Sequence, residues 1–377
     1  MSSKVYFPNL NGIRFIAALA VIIHHIEQTK SFFLYNHNWH SPHIRLIGKL
    51  GVVLFFVLSG FLITYLLLTE KSRGTISIRK FYFRRILRIW PLYYLIVILG
   101  LFVLPQMDFF YIADNHRTDN IQEYFIVKVI LFFLFLPNLA LAGFSPVPFI
   151  AQTWSVGVEE QFYLIWPVLI KKLKNVFFAL ISVILFYLSV KLIFNYINQH
   201  TEAVDSDKIL RGIFQFWDEF SIDCMAIGGI AAYIFFYKKE KLLTFLFNKY
   251  FQLLIYIVIV LSIVFKINVM YLQLEYYSIG FAIIILNLAG NPASIIKLEN
   301  RVFNYLGKIS YGLYMFHYIM IVVAIKLLGY FYIKNDFFIY SVSIGFTIII
   351  SALSYEFFES KFLKMKKKYT LIPSGND

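Results

Sequence analysis

The chain has 377 residues, 60% hydrophobic and 15% charged, with a mean hydropathy of +0.70. A soluble domain of this length is far more polar, and the apolar residues fall in blocks of about 18–25, the length that crosses about 30 Å of hydrocarbon. The net charge of +14 does not indicate nucleic-acid binding, because the basic residues gather at block ends and form no basic face; the single cysteine, Cys224, excludes an intramolecular disulfide and a cysteine metal site.

The apolar blocks cover roughly 11–29, 47–69, 86–105, 122–141, 154–170, 176–197, 213–236, 250–266, 269–290, 305–329 and 337–359. The first block is no cleavable signal peptide: it lacks a basic n-region beyond Lys4 and a small-residue cleavage site, and ten more blocks follow. The connections are short, without repeats or low-complexity segments. The expectation is an all-α integral membrane protein forming one domain over 1–377, with a basic tail from about 360 and no appended soluble domain.

Lys and Arg placement sets the orientation. The 70–88 connection carries Lys71, Arg73, Arg79, Lys80, Arg84, Arg85 and Arg88, and the tail carries Lys361, Lys364, Lys366, Lys367 and Lys368. Both are expected on the cytoplasmic side, with both termini. Two inside ends require an even number of crossings, so one of the eleven blocks must fail to cross. The block 122–141, with Lys128 and the breaker pair Pro137-Asn138, suits a re-entrant or interfacial helix. Ten transmembrane helices remain, and Lys171, Lys172 and Lys174 then also fall inside.

Within the first block, Arg14 and His25 lie eleven residues apart. On a helix they return to within about 20° of one face, about 16 Å apart along the axis, with His24 pointing elsewhere. Ionisable groups in an apolar span are expensive, so they mark either a functional site or, more simply, an interfacial anchor and a packed histidine. In the second block, Gly51, Ser59 and Gly60 are small enough to allow close helix approach. At the start of the third, Arg84, Arg85 and Arg88 are at helical spacing and can converge on a phosphate as bidentate donors, beyond ordinary positive-inside anchoring.

The stretch 153–167 places Ser155, Glu159, Glu160, Gln161 and Tyr163 in an apolar span. Glu159 and Tyr163 share a face. In the charge-derived topology Glu159 and His25 reach similar depth, so a carboxylate–imidazole contact is open to them. Near 310, Ser310, Tyr314 and His317 form a polar stripe. His317 then serves as a second functional histidine or as a hydrogen-bonding strut. Glu356 and Glu359 close the last block beside the tail lysines and read as ion-paired.

Taken together, these motifs resemble the acyltransferase family 3 membrane proteins, which transfer acyl groups to exported glycans. The similarity runs over nearly the whole chain. The family's arginine and histidine in the first span match Arg14 and His25. Its arginine pair, followed by Ile-x-Pro, matches Arg85, Arg88 and Ile89-Trp90-Pro91. Its Trp-Ser-Leu…Glu…Phe-Tyr-Leu motif matches Trp154, Ser155, Glu159, Phe162, Tyr163 and Leu164, with Val156 for the leucine. Its Ser-Tyr…Tyr…His motif matches Ser310, Tyr311, Tyr314 and His317. The closing Glu-x-Pro lacks its proline, since Glu359 is followed by Ser360 and Lys361.

The resemblance implies a ten-span core in a bacterial cytoplasmic (inner) membrane. It also implies a coenzyme A thioester as donor, acetyl-CoA being the commonest, and a glycan or lipid-linked saccharide as acceptor. The expected enzyme is an O-acetyltransferase. His25, Glu159 and Arg14 are the expected catalytic residues; Arg84, Arg85 and Arg88 hold the donor; Ser155, Tyr163, Ser310, Tyr314 and His317 are further site candidates. No metal is expected. His25 is expected to act as general base in preference to covalent carrier. Two competing readings are a transporter or flippase of acyl or glycan-lipid units, which buried charges also suit, and a different membrane O-acyltransferase fold built on one buried histidine.

Overall fold

A computed structural model describes residues 5–112, 121–144, 146–200 and 208–372. In chain order the helices are α1 (Leu10–Phe32), α2 (Pro42–Ser72), α3 (Ile78–Ile98), α4 (Phe125–Phe133), α5 (Pro137–Gly143), α6 (Trp154–Lys172), α7 (Val176–His200) and α8 (Lys208–Phe220). They continue with α9 (Ile222–Phe236), α10 (Glu240–Leu246), α11 (Lys249–Val264), α12 (Gln273–Gly290), α13 (Arg301–Lys308), α14 (Ser310–Tyr330), α15 (Asp336–Ser354) and α16 (Ser360–Lys366).

Among the described residues, eight helical segments are long and apolar enough to cross a membrane, and α10 with α11, bent by 58° at their junction, makes at most a ninth. The expected count of ten is therefore not reached by length and composition. The two blocks short of it have physical reasons. The helix α6 has 19 residues but carries Glu159, Glu160, Lys171 and Lys172, while α11 has only 16, about 24 Å at 1.5 Å per residue. The block 122–141 forms no single helix. It breaks between α4, of nine residues, and α5, of seven, with Phe135 in the left-handed region at φ 58°. A proline disfavours the helical conformation in the residue before it, which favours a break ahead of Pro137, although Pro91 and Pro167 are carried inside α3 and α6.

The core is helix on helix. Closest is the crossing of α2 with α9, where a Cβ on Gly60 would overlap the Met225 carbonyl and one on Gly228 would overlap that of Val57. Small residues thus bring two backbones together, as hydrocarbon-embedded helices require. The helix α1 packs between α2 and α14. Its first turn is tied down by Asn9, whose side chain donates to the Leu288 carbonyl (3.0 Å) and accepts from the Leu298 N–H (2.6 Å). Its far end is fixed by Lys30, buried and 2.7 Å from both Glu27 and Asp336.

The basic connections gather at one end of the bundle. The Lys71 ammonium donates to the Ile170 and Leu173 carbonyls, 2.7 Å each, which brings the 171–174 lysines beside the 70–88 connection. The Arg84 guanidinium donates to the Tyr369 carbonyl at 3.1 Å, which adds the basic tail. Large apolar side chains such as Phe178, Phe186, Ile193 and Phe357 are exposed on the outer helices. A water-facing surface does not carry such a coat, and a lipid-facing one does. The protein is an integral membrane protein.

Candidate active site

Two clusters of polar residues are stacked along α1, about 16 Å apart by helical rise. The first surrounds His25 at the end away from the basic connections. A cavity of about 750 Å³ is lined there by His24, His25, Trp39, Gln152, Trp154, Tyr314 and Tyr318, and by Gln215 and Glu219 of α8. Aromatic rings with a few polar groups make a surface suited to an amphipathic ligand.

Hydrogen bonds fix the imidazoles. The His317 Nδ1 lies 2.6 Å from the Tyr314 carbonyl. A carbonyl only accepts, so this nitrogen carries the proton, and in a neutral ring Nε2 is then the acceptor. That Nε2 lies 3.0 Å from His25 Nδ1. His25 Nδ1 is also 3.0 Å from the Val21 carbonyl, so it too must carry a proton. The lone pair of His25 is thereby assigned to Nε2. His24 is not turned away from this cavity, contrary to the expectation: its ring stands 4.9 Å from both the His25 and Trp39 rings. Consecutive helical residues differ by only about 100°, and a wide cavity receives both.

Tyr314 donates to the Gln152 carbonyl at 2.9 Å and is 2.6 Å from Ser155 Oγ, which ties α14 to the start of α6. Gln152 in turn donates to the Phe149 and Met315 carbonyls at 3.0 Å. Ser155 and Tyr314 hold the helix bearing His317 in register. Ser310 is buried in the first turn of α14, about two turns from His317, and does not line the cavity.

The second cluster contains Arg14, Arg85, Arg88, Glu159, Glu160 and Tyr163. Arg14 interacts electrostatically with Arg88, Arg85, Tyr163 and Glu159, and donates to Asn11 Oδ1 at 3.0 Å. The Arg85 guanidinium lies over the rings of Phe81 and Tyr163, 5.8 and 5.7 Å from their centroids, and its Nε has no hydrogen-bond partner. Glu159 accepts from Ser59 at 2.8 Å and from Tyr163 at 3.1 Å. Glu160 accepts from the Trp90 indole at 3.0 Å.

Two expectations are corrected here. Glu159 does not partner His25; it faces the arginines, and His317 takes the place beside His25. The segment before α6 is buried through Val147, Phe149, Ile150, Gln152 and Thr153, so α6 starts inside the protein at the level of the cavity. Glu159 is then more than a turn deeper. Arg84 does not join Arg85 and Arg88, because it is paired with Glu70 at 2.5 Å and with the Tyr369 carbonyl. Arg14 takes its place, brought to Arg85 and Arg88 from another helix. Ser59, Gln152 and Trp39 were not singled out as site residues. Only Ser59 carried a signal, a hydroxyl in an apolar span, and it reads equally well as helix packing.

The acyltransferase domain model matches residues 7–356. A Staphylococcus aureus protein whose name carries O-acetyltransferase as a provisional assignment is 28% identical over 385 aligned residues, covering 95% of this chain and 58% of that protein. The O-acetyltransferase OatA of Staphylococcus aureus is 27% identical, covering 99% of this chain and 60% of its own. The peptidoglycan O-acetyltransferase OatA of Listeria monocytogenes is 34% identical over 182 residues, 46% of this chain and 26% of its own. The chain thus spans less than two thirds of the length of the curated relatives it matches. No solved structure matches it. With the family model matched from the start of α1 to the end of α15, over both clusters, the chain belongs to the acyltransferase domain family.

Proposed function

We propose that the chain is a membrane O-acetyltransferase that takes an acetyl group from cytoplasmic acetyl-CoA and transfers it to a hydroxyl of a cell-surface glycan at the outer half of a bacterial inner membrane. The single observation that carries this reading is the pairing of two clusters on α1: an arginine cluster at the basic end and a histidine cavity towards the other. Under the positive-inside rule the basic end faces the cytoplasm, where acyl-CoA resides.

Arg14, Arg85 and Arg88 supply guanidiniums for the phosphates of the donor, with the Phe81 and Tyr163 rings holding Arg85 in place. The extended pantetheine arm then follows α1, and the thioester meets the acceptor at His25. His25 Nε2, bearing the lone pair, removes the proton of the acceptor hydroxyl as its oxygen attacks the thioester carbonyl. The C–S bond breaks, and the departing thiolate takes the proton from the imidazolium. Trp39, Trp154 and Tyr318 offer rings on which a saccharide can stack. That two relatives are named O-acetyltransferases, one of them acting on peptidoglycan, supports acetyl as the group and a wall or surface glycan as the class of acceptor.

The test uses inner-membrane vesicles with the purified chain, acetyl-CoA labelled in the acetyl group, and isolated cell-surface glycan. Label esterified to the glycan, absent with His25→Gln, is the expected result. Label accumulating inside sealed vesicles with no ester formed would mean a transporter.

A further inference from the structure

Lys191 on α7, Asp223 on α9 and Glu275 on α12 meet in the bundle interior, away from both clusters on α1. All three are buried, Asp223 completely. The Lys191 ammonium is 2.8 Å from Glu275 Oε1. The other carboxylate oxygens, Asp223 Oδ1, Asp223 Oδ2 and Glu275 Oε2, have no hydrogen-bond donor among the described residues. Asp223 nonetheless lies within the electrostatic reach of Glu275 and Lys191.

Charge counting gives the site its ligand. Two carboxylates and one ammonium leave one uncompensated negative charge, and an unpaired charge in a dry interior costs several kcal/mol. Asp223 sits in the first turn of α9, where the helix dipole offers about half a positive charge. That partial charge, with the contact of the carboxylate to its own backbone N–H, is about half of what the balance needs. One further positive charge is required. The ammonium beside Glu275 disfavours a metal ion, which would also need several oxygens around it. A proton needs one oxygen and turns an orphan acceptor into a donor.

We infer that Asp223 and Glu275 form a proton-binding site in which one proton is shared between the two carboxyl groups and Lys191 neutralises the remaining charge. Binding converts the Asp223 carboxylate to the acid, whose O–H donates to Glu275; the net charge of the three groups goes from minus one to zero. The groups facing Asp223 are Glu275 from α12, Lys191 and Tyr187 from α7, and Cys224 beside it on α9. The α2 backbone at Val57 and Gly60 packs against Gly228 and Met225 further along α9. Lys191 lines a separate cavity of about 390 Å³ together with Asn195, Gln215 and Asp218, which is the route by which a proton arrives. Ser221 and Leu274 line the His25 cavity, two residues and one residue before Asp223 and Glu275 respectively.

The experiment is infrared difference spectroscopy on the detergent-purified full chain, following the C=O stretch of a protonated carboxyl group at neutral pH in sodium-free buffer. Wild type should show the band, and Asp223→Asn should lose it. Glu275→Gln should lose it too, since Asp223 and Lys191 then balance without a proton. A parallel melting series guards against a misfolded variant. The folded wild type binds one more proton than the unfolded chain, so its Tm should fall as pH rises from about 5 to about 8, and this slope should flatten in either variant. A band that persists in both variants overturns the proposal, as does a wild-type band abolished by sodium at constant ionic strength, which would make the site one for a metal cation.

Discussion

His317 Nε2 stands 3.0 Å from His25 Nδ1, and the two residues come from helices 292 positions apart in the chain. The contact gives His25 a second partner, beside the Val21 carbonyl, for the proton on Nδ1, and so helps to fix the orientation of the ring. Removing it with His317→Ala should leave insertion and donor binding intact and lower turnover by about 10- to 100-fold, the loss seen when a metal-bound histidine is deprived of its orienting partner. His317→Gln, whose side-chain oxygen can accept from Nδ1, should recover part of that loss. Nitrogen-15 spectra of His25 test the arrangement without reference to activity: the wild type should show the Nδ1–H tautomer, and His317→Ala, with the Val21 carbonyl still accepting, should keep that tautomer but shift the Nδ1 resonance.

His25→Gln keeps a polar side chain on α1 but no base. Acyl transfer to the glycan should fall on the order of 10²- to 10⁴-fold, while coenzyme A binding measured by calorimetry stays within twofold, about the scatter of such a comparison. Substantial transfer by this variant would reduce His25 to a strut between helices.

Arg88→Lys keeps the charge and loses the planar fork. Donor binding should weaken by about tenfold, the loss of roughly one charge-assisted hydrogen bond. Arg84→Lys should leave donor binding unchanged, because Arg84 serves Glu70 and the Tyr369 carbonyl. Equal losses in the two would restore Arg84 to the donor site.

Glu159→Gln tests the corrected position of the carboxylate. Against Arg14, Arg85 and Arg88, removing one negative charge should tighten binding of the polyanionic donor, on the order of tenfold at an effective dielectric near 20. Weaker donor binding, or a pure loss of turnover, would return Glu159 to the side of His25.

Lys30→Ala leaves Glu27 buried without its ammonium. Breaking a buried pair from one side costs about 3–5 kcal/mol, which should appear as a lower melting temperature in detergent. The double variant Lys30→Met with Glu27→Leu should regain most of it.

The sequence by itself determined the membrane class, the failure of 122–141 to form one crossing helix, and which polar and charged residues stand out on each helix. These are local properties. Block length decides whether a segment reaches across hydrocarbon; the Pro137-Asn138 pair marks where 122–141 can break; an arginine or histidine in an apolar run stands out against its neighbours. The grouping of basic connections at one end was also legible, since loop charge is read along the chain.

Only the tertiary structure decided which of those residues meet. The pairing of His25 with His317 depends on the rotation of α14 against α1, which Tyr314, Ser155 and Gln152 set through contacts between helices. The depth of Glu159 depends on a buried segment before α6 that brings the helix start inside the protein. The third arginine of the basic cluster came from α1, because Arg84, adjacent in sequence to Arg85, points about 100° away on the helix and meets Glu70. Helical periodicity gives each side chain a direction, but nothing in a single helix states what lies in that direction. That is fixed by packing, where small residues such as Gly60 and Gly228 set how closely two helices approach and with it the register of every polar group they carry.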